Sequence, residues 1–438
     1  MQIPHVSRTD PGRRAAGYGW AMFAVLAAAY FFVYFHRMSV NALGTDMISD
    51  VGGGSKEYLS SVYFWTYAFM QIPSGILSDR LGPRKASSVF LTLAAAGSFI
   101  TVFGDTFLAL AAGKVLIAAG MAVVYIPLMK IISVWFGKRD FPQLNGIVIA
   151  VGNVGALAAS APLVYLADAV GWRDVFLLLG GITVLLAFLC FAFVRDHPKD
   201  IGAPGIEDVR AAEDVSDRSD GKAPVLSALK TVFGSGRVFW TMGLAYFLVY
   251  GTIMVFQGTT SIAYFRDHVY GFPLAAWFVT MIGIGKIVST VMIGRLVSRG
   301  TLRSKKRVTA AGTLAYAAVW AFIWLSAGDM DNQYVWFAVC ALFGFFGGFM
   351  TLSFAQVKEW FPRSIAGTAI SSMNVLLFLG ASVGTTVAGL ILHNVYTLEN
   401  YGALWAVMFL AAAAASVLVL LSKERKEGDG LLIPEGNR

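Results

Sequence analysis

The chain has 438 residues, of which 57% are hydrophobic and only 14% are charged. Soluble globular proteins carry roughly 25% charged and 45–50% apolar residues, so this composition excludes most soluble classes. The formal net charge of +8 is not gathered on the basic face of a polar domain, which argues against nucleic-acid binding.

The sequence also lacks the patterns of an enzyme or of a cofactor site. It has no phosphate-binding Gly-Lys-Ser/Thr loop and no nucleophile constellation. Cys190 and Cys340 lie in apolar runs and form neither a metal-ligand spacing nor a disulfide framework. We therefore predict a protein that is not an enzyme and that binds no cofactor, metal or nucleic acid.

A membrane-spanning helix needs about 20 mostly apolar residues, and this sequence contains twelve such runs. We predict spans at residues 18–43, 58–78, 86–104, 108–134, 144–166, 175–194, 237–262, 273–296, 308–327, 334–357, 366–392 and 402–421. Residues 195–236 are polar and charged and include three prolines, which predicts a mostly disordered linker with one surface helix. The expected fold is an all-α membrane protein with two six-helix bundles, 18–194 and 237–421.

Lys and Arg are distributed unevenly over the connecting segments. With the N-terminus placed inside, the inner segments hold 27 of the 34 Lys and Arg residues, and the outer segments hold three: Lys56, Arg173 and Arg266. Cytoplasmic loops of membrane proteins carry such an excess. We therefore predict a multi-pass plasma-membrane protein whose tails, 1–17 and 422–438, are both cytoplasmic.

The two halves of the chain resemble each other. Residues 29–34 read AYFFVY and residues 245–250 read AYFLVY, an offset of 216. Trp-Phe pairs end the fourth and tenth spans at an offset of 225, and Asn-Val pairs recur in the fifth and eleventh at 221. Matches in order, near half the chain length, indicate duplication, and parallel halves place a binding site between them near the middle of the membrane.

The loop after the second span carries the most specific motif. Residues 75–85, GILSDRLGPRK, resemble the signature loop of the major facilitator superfamily, and the whole chain fits that superfamily's twelve spans in two pseudo-symmetric halves. Residues 34–42, YFHRMSVNA, and 171–176, GWRDVF, resemble motifs of its anion:cation symporters and organophosphate permeases. The resemblance implies a secondary transporter of the bacterial inner membrane that works by alternating access.

The same resemblance implies a role for the signature loop. In the superfamily this cytoplasmic loop latches the two halves together in the outward-facing state. Asp79 can pair with Arg84 or Arg139, and Gly75 permits close helix approach. We predict a conformational latch that consists of Gly75, Asp79, Arg80, Arg84 and Arg139.

Three cations lie deep within the spans, where charges are costly and mark candidate functional sites. They are Arg37, Lys114 and Lys286, whereas every Asp and Glu maps to a loop or a span end. An anionic substrate in a water-filled cavity would balance them. Arg37 is the strongest candidate, because a guanidinium holds a carboxylate or phosphate through two parallel hydrogen bonds. In the resembling families an arginine of this motif binds the anionic head of the substrate.

Polar side chains in otherwise apolar helices are further candidates for the substrate site, although aromatic stripes more often reflect core packing. They are Tyr30, Tyr34, Tyr67, Tyr125, Asn153, Tyr250, Gln257 and Asn374.

His36 precedes Arg37, where many anion:cation symporters have an acidic residue that takes part in proton coupling. Histidine titrates near neutral pH, so His36 is either a proton carrier or a hydrogen-bonding residue of the pore. Organophosphate antiporters typically carry a second arginine in the seventh span, but the equivalent position here is Ile253. That difference disfavours a phosphate-ester antiporter, and Lys286 could partly replace the missing charge.

The sequence therefore predicts a secondary active transporter that moves a small organic anion, a carboxylate or sugar acid, by proton-coupled symport. The alternatives are an organophosphate:phosphate exchanger and a transporter-like ligand sensor. The expected partners are the small anionic substrate, protons and the lipid bilayer, and the protein is expected to act as a monomer.

Overall fold

A computed structural model describes residues 11–136, 140–201, 225–271, 274–298, 304–328, 330, 332–425 and 430–432. Within those ranges the regular elements are helices. The first half contains α1 (Pro11–Val51), α2 (Lys56–Phe103), α3 (Phe107–Ala122), α4 (Tyr125–Trp135), α5 (Phe141–Ala158), α6 (Ala161–Val170) and α7 (Trp172–Phe193). Next come a 3₁₀ turn (Pro198–Ile201) and α8 (Val225–Gly234). The second half contains α9 (Arg237–Val255), a π-helical turn (Phe256–Thr260), α10 (Ser261–His268), α11 (Leu274–Ser298), α12 (Lys305–Leu325), α13 (Gln333–Gly347), a 3₁₀ turn (Gly348–Thr351), α14 (Leu352–Lys358), α15 (Arg363–Leu392) and α16 (Leu398–Leu421).

Some features predicted from the sequence fall outside the described residues. They are Arg139, the central part of the linker (202–224), and residues 1–10, 426–429 and 433–438 of the two tails.

Short polar side chains begin several of these helices. Ser55 precedes α2 and accepts a hydrogen bond from the backbone N–H of Glu57 at 3.1 Å. Thr106, Asn332 and Thr397 cap α3, α13 and α16 in the same way. Such caps pair N–H groups that a helix leaves unpaired, so they determine the residues at which these helices begin.

The number of spans is consistent with the predicted twelve. Ten helices of the described chain are long and apolar enough to cross a membrane, and the pair α5–α6, bent by 45°, adds an eleventh. As a straight rod the 48 residues of α2 would extend about 72 Å, more than twice the thickness of a hydrocarbon core. The helix reverses instead at Gly82, whose φ of 75° favours glycine, so α2 contains both the second and the third predicted spans.

Ion pairs identify the two sides of the bundle. Arg173 pairs with Asp50 near the end of α1 and with Asp105 just after α2, so these segments share one side, here called the far side. The opposite side is called the terminal side, because α1 begins there and, with six spans in each half, α16 ends there.

The two halves pack alike. Gly155 on α5 lies against the carbonyl oxygen of Phe31 on α1, and Gly380 on α15 lies against that of Phe247 on α9. A Cβ atom at either glycine would overlap this backbone, so the first and fifth spans cross as closely as the seventh and eleventh do. The repeated contact confirms the two pseudo-symmetric halves that the sequence predicts.

Hydrogen bonds between the halves close the far side. Ser61 on α2 bonds Thr386 on α15 at 2.6 Å, and Trp277 on α11 donates to the hydroxyl of Tyr165 on α6 at 3.2 Å. These side chains come from helices on both sides of the interface, so the halves cannot separate here without breaking polar contacts.

A cluster of polar groups, the far-side seal, reinforces that closure. It consists of the buried Lys56, Glu57 and Tyr401 and the half-buried His268 and Tyr396. Glu57 accepts a hydrogen bond from the Tyr396 hydroxyl of the other half at 3.0 Å, and Lys56 Nζ lies 5.0 Å from the centre of the Tyr396 ring. His268 Nε2 is 2.7 Å from the Tyr396 carbonyl oxygen. Burial lowers the pKa of Lys56 and raises the pKa of Tyr396, because the seal excludes water.

Replacing Tyr396 by Phe should open the far side more often. Glu57 would stay buried but lose a charge-assisted hydrogen bond, a contribution of about 1.5–3 kcal/mol. A Ser382→Cys reporter lies where Ser61 reaches across the interface, and its rate of labelling by a maleimide measures the opening. We expect labelling to become roughly tenfold faster or more.

The matched control is Tyr401→Phe, because the Tyr401 hydroxyl has no hydrogen-bond partner in the described chain. Cys190 and Cys340 are both buried, so background labelling should be low. Equal labelling rates in Tyr396→Phe and Tyr401→Phe would contradict the proposed contribution of the Glu57 hydrogen bond.

Candidate functional site

Arg37 lies in α1 at the interface between the halves, with only 3% of its surface exposed. Its guanidinium carbon is 4.4 Å from the centre of the Tyr34 ring and 4.9 Å from the centres of the Tyr67 and Phe378 rings. Its Nη1 donates to the Tyr250 hydroxyl at 3.4 Å. Ring faces attract a cation, so these four aromatic side chains, two from each half, form an aromatic cage around Arg37.

The aromatic cage leaves the charge of Arg37 without an anionic partner. No carboxylate of the described chain forms a salt bridge with Arg37, and its Nε is buried without a hydrogen-bond partner. A buried charge is costly when it is unpaired, whereas a carboxylate or phosphate would satisfy the guanidinium through two hydrogen bonds. This unmatched charge points directly to an anionic ligand.

A small cavity adjoins the aromatic cage between the halves. It is lined by Tyr34, Met38, Asn153, Ala156, Tyr250, Gln257, Gly283 and Lys286. Its volume of ≈ 10 Å³ holds about one water molecule. A substrate with several heavy atoms therefore requires the halves to move apart on one side.

Lys286 brings a second cation to this cavity from α11. Its Nζ lies 5.9 Å from the centre of the Tyr250 ring, whose hydroxyl bonds Arg37. The offset between the halves pairs Arg37 with Ile253, but across the interface Arg37 faces Tyr250. The second positive charge therefore comes from the eighth span and not from the seventh.

Tyrosines continue from the aromatic cage toward the terminal side. The rings of Tyr30 and Tyr34 are 5.4 Å apart, and Tyr125 on α4 lies 5.4 Å from Tyr30. The Tyr125 hydroxyl is 3.0 Å from Asn145 Oδ1 and donates to it. Because Tyr30 precedes Tyr34 by about one helical turn, this row leads toward the end of α1 where the chain begins.

The predicted amides lie at different positions around the site. Asn153 lines the cavity from α5, and Gln257 lines it from the π-helical turn of the seventh span. The Oε1 atom of Gln257 is buried without a partner and can accept a hydrogen bond from a ligand. Asn374 is half-buried on α15, four residues before Phe378, so it lies one turn from the aromatic cage on its terminal side.

His36 and Lys114 lie apart from the aromatic cage, inside the first half, and both have an exposed fraction of 0%. Lys114 on α3 donates to Ser39 Oγ at 3.1 Å, and its Nζ is 4.7 Å from the centre of the Phe176 ring. Phe176 on α7 is also 6.2 Å from the His36 ring, and both nitrogens of that ring lack a hydrogen-bond partner in the described chain. The structure brings Lys114 together with His36 and not with Lys286.

Sequence reasoning does not identify Phe378 as part of the site, because a phenylalanine in a span reads as a core or lipid-facing residue. The available signal is its spacing from Asn374, since residues four apart share a helix face. Met38 and Gly283, which also line the cavity, carry no comparable signal in the sequence.

The signature loop makes its contacts within the first half. Asp79 pairs with Lys130 at 3.1 Å and not with Arg84. The Arg84 backbone N–H donates to the Asp196 carboxylate at 2.8 Å, and its Nε donates to the Phe191 carbonyl oxygen at 2.8 Å. These contacts anchor the loop to the end of α7.

The other latch residues are placed as follows. Arg80 is exposed and Gly75 is half-buried, and a Cβ atom on Gly75 would only touch Ile126 at 3.9 Å. Arg139 lies outside the described residues. A latch between the halves in the outward-facing state stays a prediction.

Comparison with known proteins gives the family. The sequence matches the Major Facilitator Superfamily over residues 17–353 and 275–434. The chain therefore belongs to this superfamily of multi-pass membrane transporters.

Individual relatives indicate the branch of the superfamily to which the chain is related. The chain is 23% identical over 432 residues to a probable hexose phosphate transport protein of Chlamydia trachomatis, covering 92% of this chain and 90% of that protein. It is 24% identical to the membrane sensor protein UhpC of Escherichia coli, covering 89% of each chain. It is 23% identical to the probable galactarate/D-glucarate transporter GarP of Escherichia coli, covering 88% of this chain and 90% of that one. The protein is thus related to sugar-phosphate and organic-anion permeases.

A solved structure supports the fold. The crystal structure of a D-xylose–proton symporter superposes with a TM-score of 0.74 at 15% identity, covering 94% of this chain and 100% of that one. At this identity the likeness shows that the two chains share a fold.

Replacing Arg37 by Lys should weaken anion binding about 10- to 100-fold. The ammonium keeps the charge but cannot form the two parallel hydrogen bonds of a guanidinium. Arg37→Ala should abolish binding. The measurement is the rise in unfolding temperature when a panel of carboxylates, sugar acids and phosphate esters is titrated, since a ligand that binds only the folded state stabilises it.

The matched control is Lys130→Gln, which removes a cation of the terminal side that pairs with Asp79 and should leave the anion affinity unchanged. Wild-type affinity in Arg37→Ala would rule out Arg37 as the anion-binding group.

Proposed function

We propose that the protein is a secondary active transporter of a small organic anion, a carboxylate or sugar acid, whose anionic group binds Arg37. The buried guanidinium, surrounded by aromatic rings and without a carboxylate partner in the described chain, carries the proposal. An anion in this position would supply the missing counter-charge and accept hydrogen bonds in the geometry that arginine prefers.

The groups around the cavity favour a hydroxylated anion. Asn153 and Gln257 each offer a donor and an acceptor, and the Tyr250 hydroxyl can do both. Lys286 can hold a second carboxylate or a carbonyl oxygen. The relatives named for hexose phosphate and for galactarate or D-glucarate support a substrate the size of a sugar acid.

Alternating access would expose this site to one side at a time. The far side is closed by the seal and by bonds such as Ser61–Thr386, so from this state the halves would separate on the terminal side to admit the substrate. The excess of Lys and Arg supports a cytoplasmic terminal side. The protein would then face inward in this state, as a monomer with both termini in the cytoplasm of a bacterial inner-membrane system.

Protons are the proposed coupling ion, with His36 as their carrier. The His36 ring is buried, its two nitrogens have no partner in the described residues, and it lies three residues before the serine that bonds Lys114. Histidine changes charge near neutral pH. Arg37 follows it directly in α1, so a proton on His36 and an anion on Arg37 would act on the same stretch of helix.

Uptake measurements test the coupling. In proteoliposomes an inward proton gradient should speed the uptake of labelled D-glucarate several-fold, and His36→Gln should remove that dependence while leaving the anion affinity within about twofold. His393→Gln is the matched control, because this histidine is exposed in a loop. Unchanged dependence on the gradient in His36→Gln would eliminate the proton role of His36.

Phosphate exchange is the alternative that one observation favours. Arg37 and Lys286 both lie at Tyr250, and two cations suit a phosphate dianion. The exchanger would be favoured if uptake of glucose 6-phosphate requires internal phosphate and does not depend on the proton gradient. Anion binding without uptake under either condition would instead favour a sensor, the activity that the name of the relative UhpC indicates for that protein.

A further inference from the structure

The seventh span is interrupted by a π-helical turn, Phe256–Thr260, between α9 and α10. The Ser261 N–H donates to the Phe256 carbonyl oxygen, five residues back. The Thr259 and Thr260 hydroxyls donate to carbonyl oxygens that are also five residues back, at 3.2 and 2.7 Å. A turn of this kind leaves backbone groups without their α-helical partners, and such turns often lie at functional sites.

Asn41 of α1 supplies partners for those groups from the other half of the protein. Its Nδ2 donates to the Gln257 carbonyl oxygen at 2.7 Å and to Ser261 Oγ at 3.1 Å. Its Oδ1 accepts from the Ile262 N–H at 3.3 Å. The side chain is 3% exposed, so one amide both donates and accepts across the interface in a dry environment.

The position of Asn41 ties this contact to the anion site. Asn41 follows Arg37 by four residues in α1, so the two side chains share a helix face. The residue whose carbonyl Asn41 holds is Gln257, and the Gln257 side chain lines the cavity with Lys286. A change from a π-helical to an α-helical turn would shift the register by one residue, which rotates one part of the span against the other by about 100°.

We propose that Asn41 is a positioning residue: it stabilises the π-helical turn of the seventh span when the far side is closed, and so sets the orientation of Gln257 at the anion site. The effect on the substrate rests on the function proposed above. The coupling between closure and the turn rests on the contacts alone.

Closure of the far side and the π-helical turn are coupled because Asn41 and the seventh span belong to different halves. Opening the far side withdraws Asn41 and deprives the Gln257 carbonyl and the Ile262 N–H of these partners in apolar surroundings. An α-helical turn removes that cost, because Ile262 N–H can then bond the Gly258 carbonyl oxygen four residues back. The turn therefore has two arrangements, and closure of the far side selects between them.

Two measurements that need no substrate test the coupling. In Asn41→Ala, amide hydrogen exchange in the peptide 256–264 should become at least tenfold faster, which is about 1.4 kcal/mol. Maleimide labelling of the Ser382→Cys reporter should accelerate by a similar factor. Tyr18→Phe is the matched control, since it removes a hydrogen bond within the first half and should leave exchange in 256–264 and labelling unchanged.

A second variant separates the turn from general loosening. Deleting Gly258 should convert the span to a continuous α-helix that no longer needs Asn41. Adding Asn41→Ala to that deletion should then change labelling less than twofold. Equal effects of Asn41→Ala on labelling with and without Gly258 would overturn the proposal. Unchanged hydrogen exchange in 256–264 in the single variant Asn41→Ala would also overturn it, and this measurement does not depend on whether the deletion variant folds.

The affinity for D-glucarate tests the link to the site. Asn41→Ala should weaken binding at least tenfold, whereas Tyr18→Phe should change it less than threefold. Wild-type affinity in Asn41→Ala would overturn the positioning role. If wild-type protein binds no anion, the proposed function fails, while the exchange and labelling results still decide the coupling.

Discussion

The Arg37 guanidinium lies in apolar surroundings, where an uncompensated charge is costly. Tyr34 and Tyr67 of one half and Tyr250 and Phe378 of the other surround it. Because these groups come from both halves, separation of the halves around Arg37 would remove some of its partners unless an anion replaces them. Under the proposed function, substrate binding and the approach of the halves would be two ways to satisfy the same charge, which would give alternating access an electrostatic basis.

Polar contacts close the far side, and they affect how easily the halves move apart. The bonds of Ser61 and of Glu57 exchange readily for bonds to water when the interface opens, so the barrier to opening is smaller than for an apolar interface of the same area. The interior of each half is different. There, glycines such as Gly155 and Gly380 bring backbones into direct contact, so each half can move as a rigid unit while the interface changes.

The pseudo-symmetry of the halves is broken where the chemistry lies. Tyr34 and Tyr250 are equivalent positions and flank one arginine, but the position equivalent to Arg37 is Ile253. The second cation, Lys286, enters from another helix, at an angle that the repeat does not dictate. Under the proposed function, one bidentate cation and one point charge would hold an anion in a defined orientation.

The sequence by itself predicted the spans, the two halves, and Arg37 and several tyrosines as candidate site residues, because span length, repeat offset and polar residues in apolar runs can be seen along the chain. Only the tertiary structure decided which residues meet across the interface. It placed Tyr250 against Arg37 where the repeat offset indicates Ile253, Lys114 beside His36 and away from the cavity, and Asn41 against the broken seventh span. These neighbours are often more than 200 residues apart, and the rotation of each helix about its axis depends on packing against several others, which no periodicity along one helix encodes.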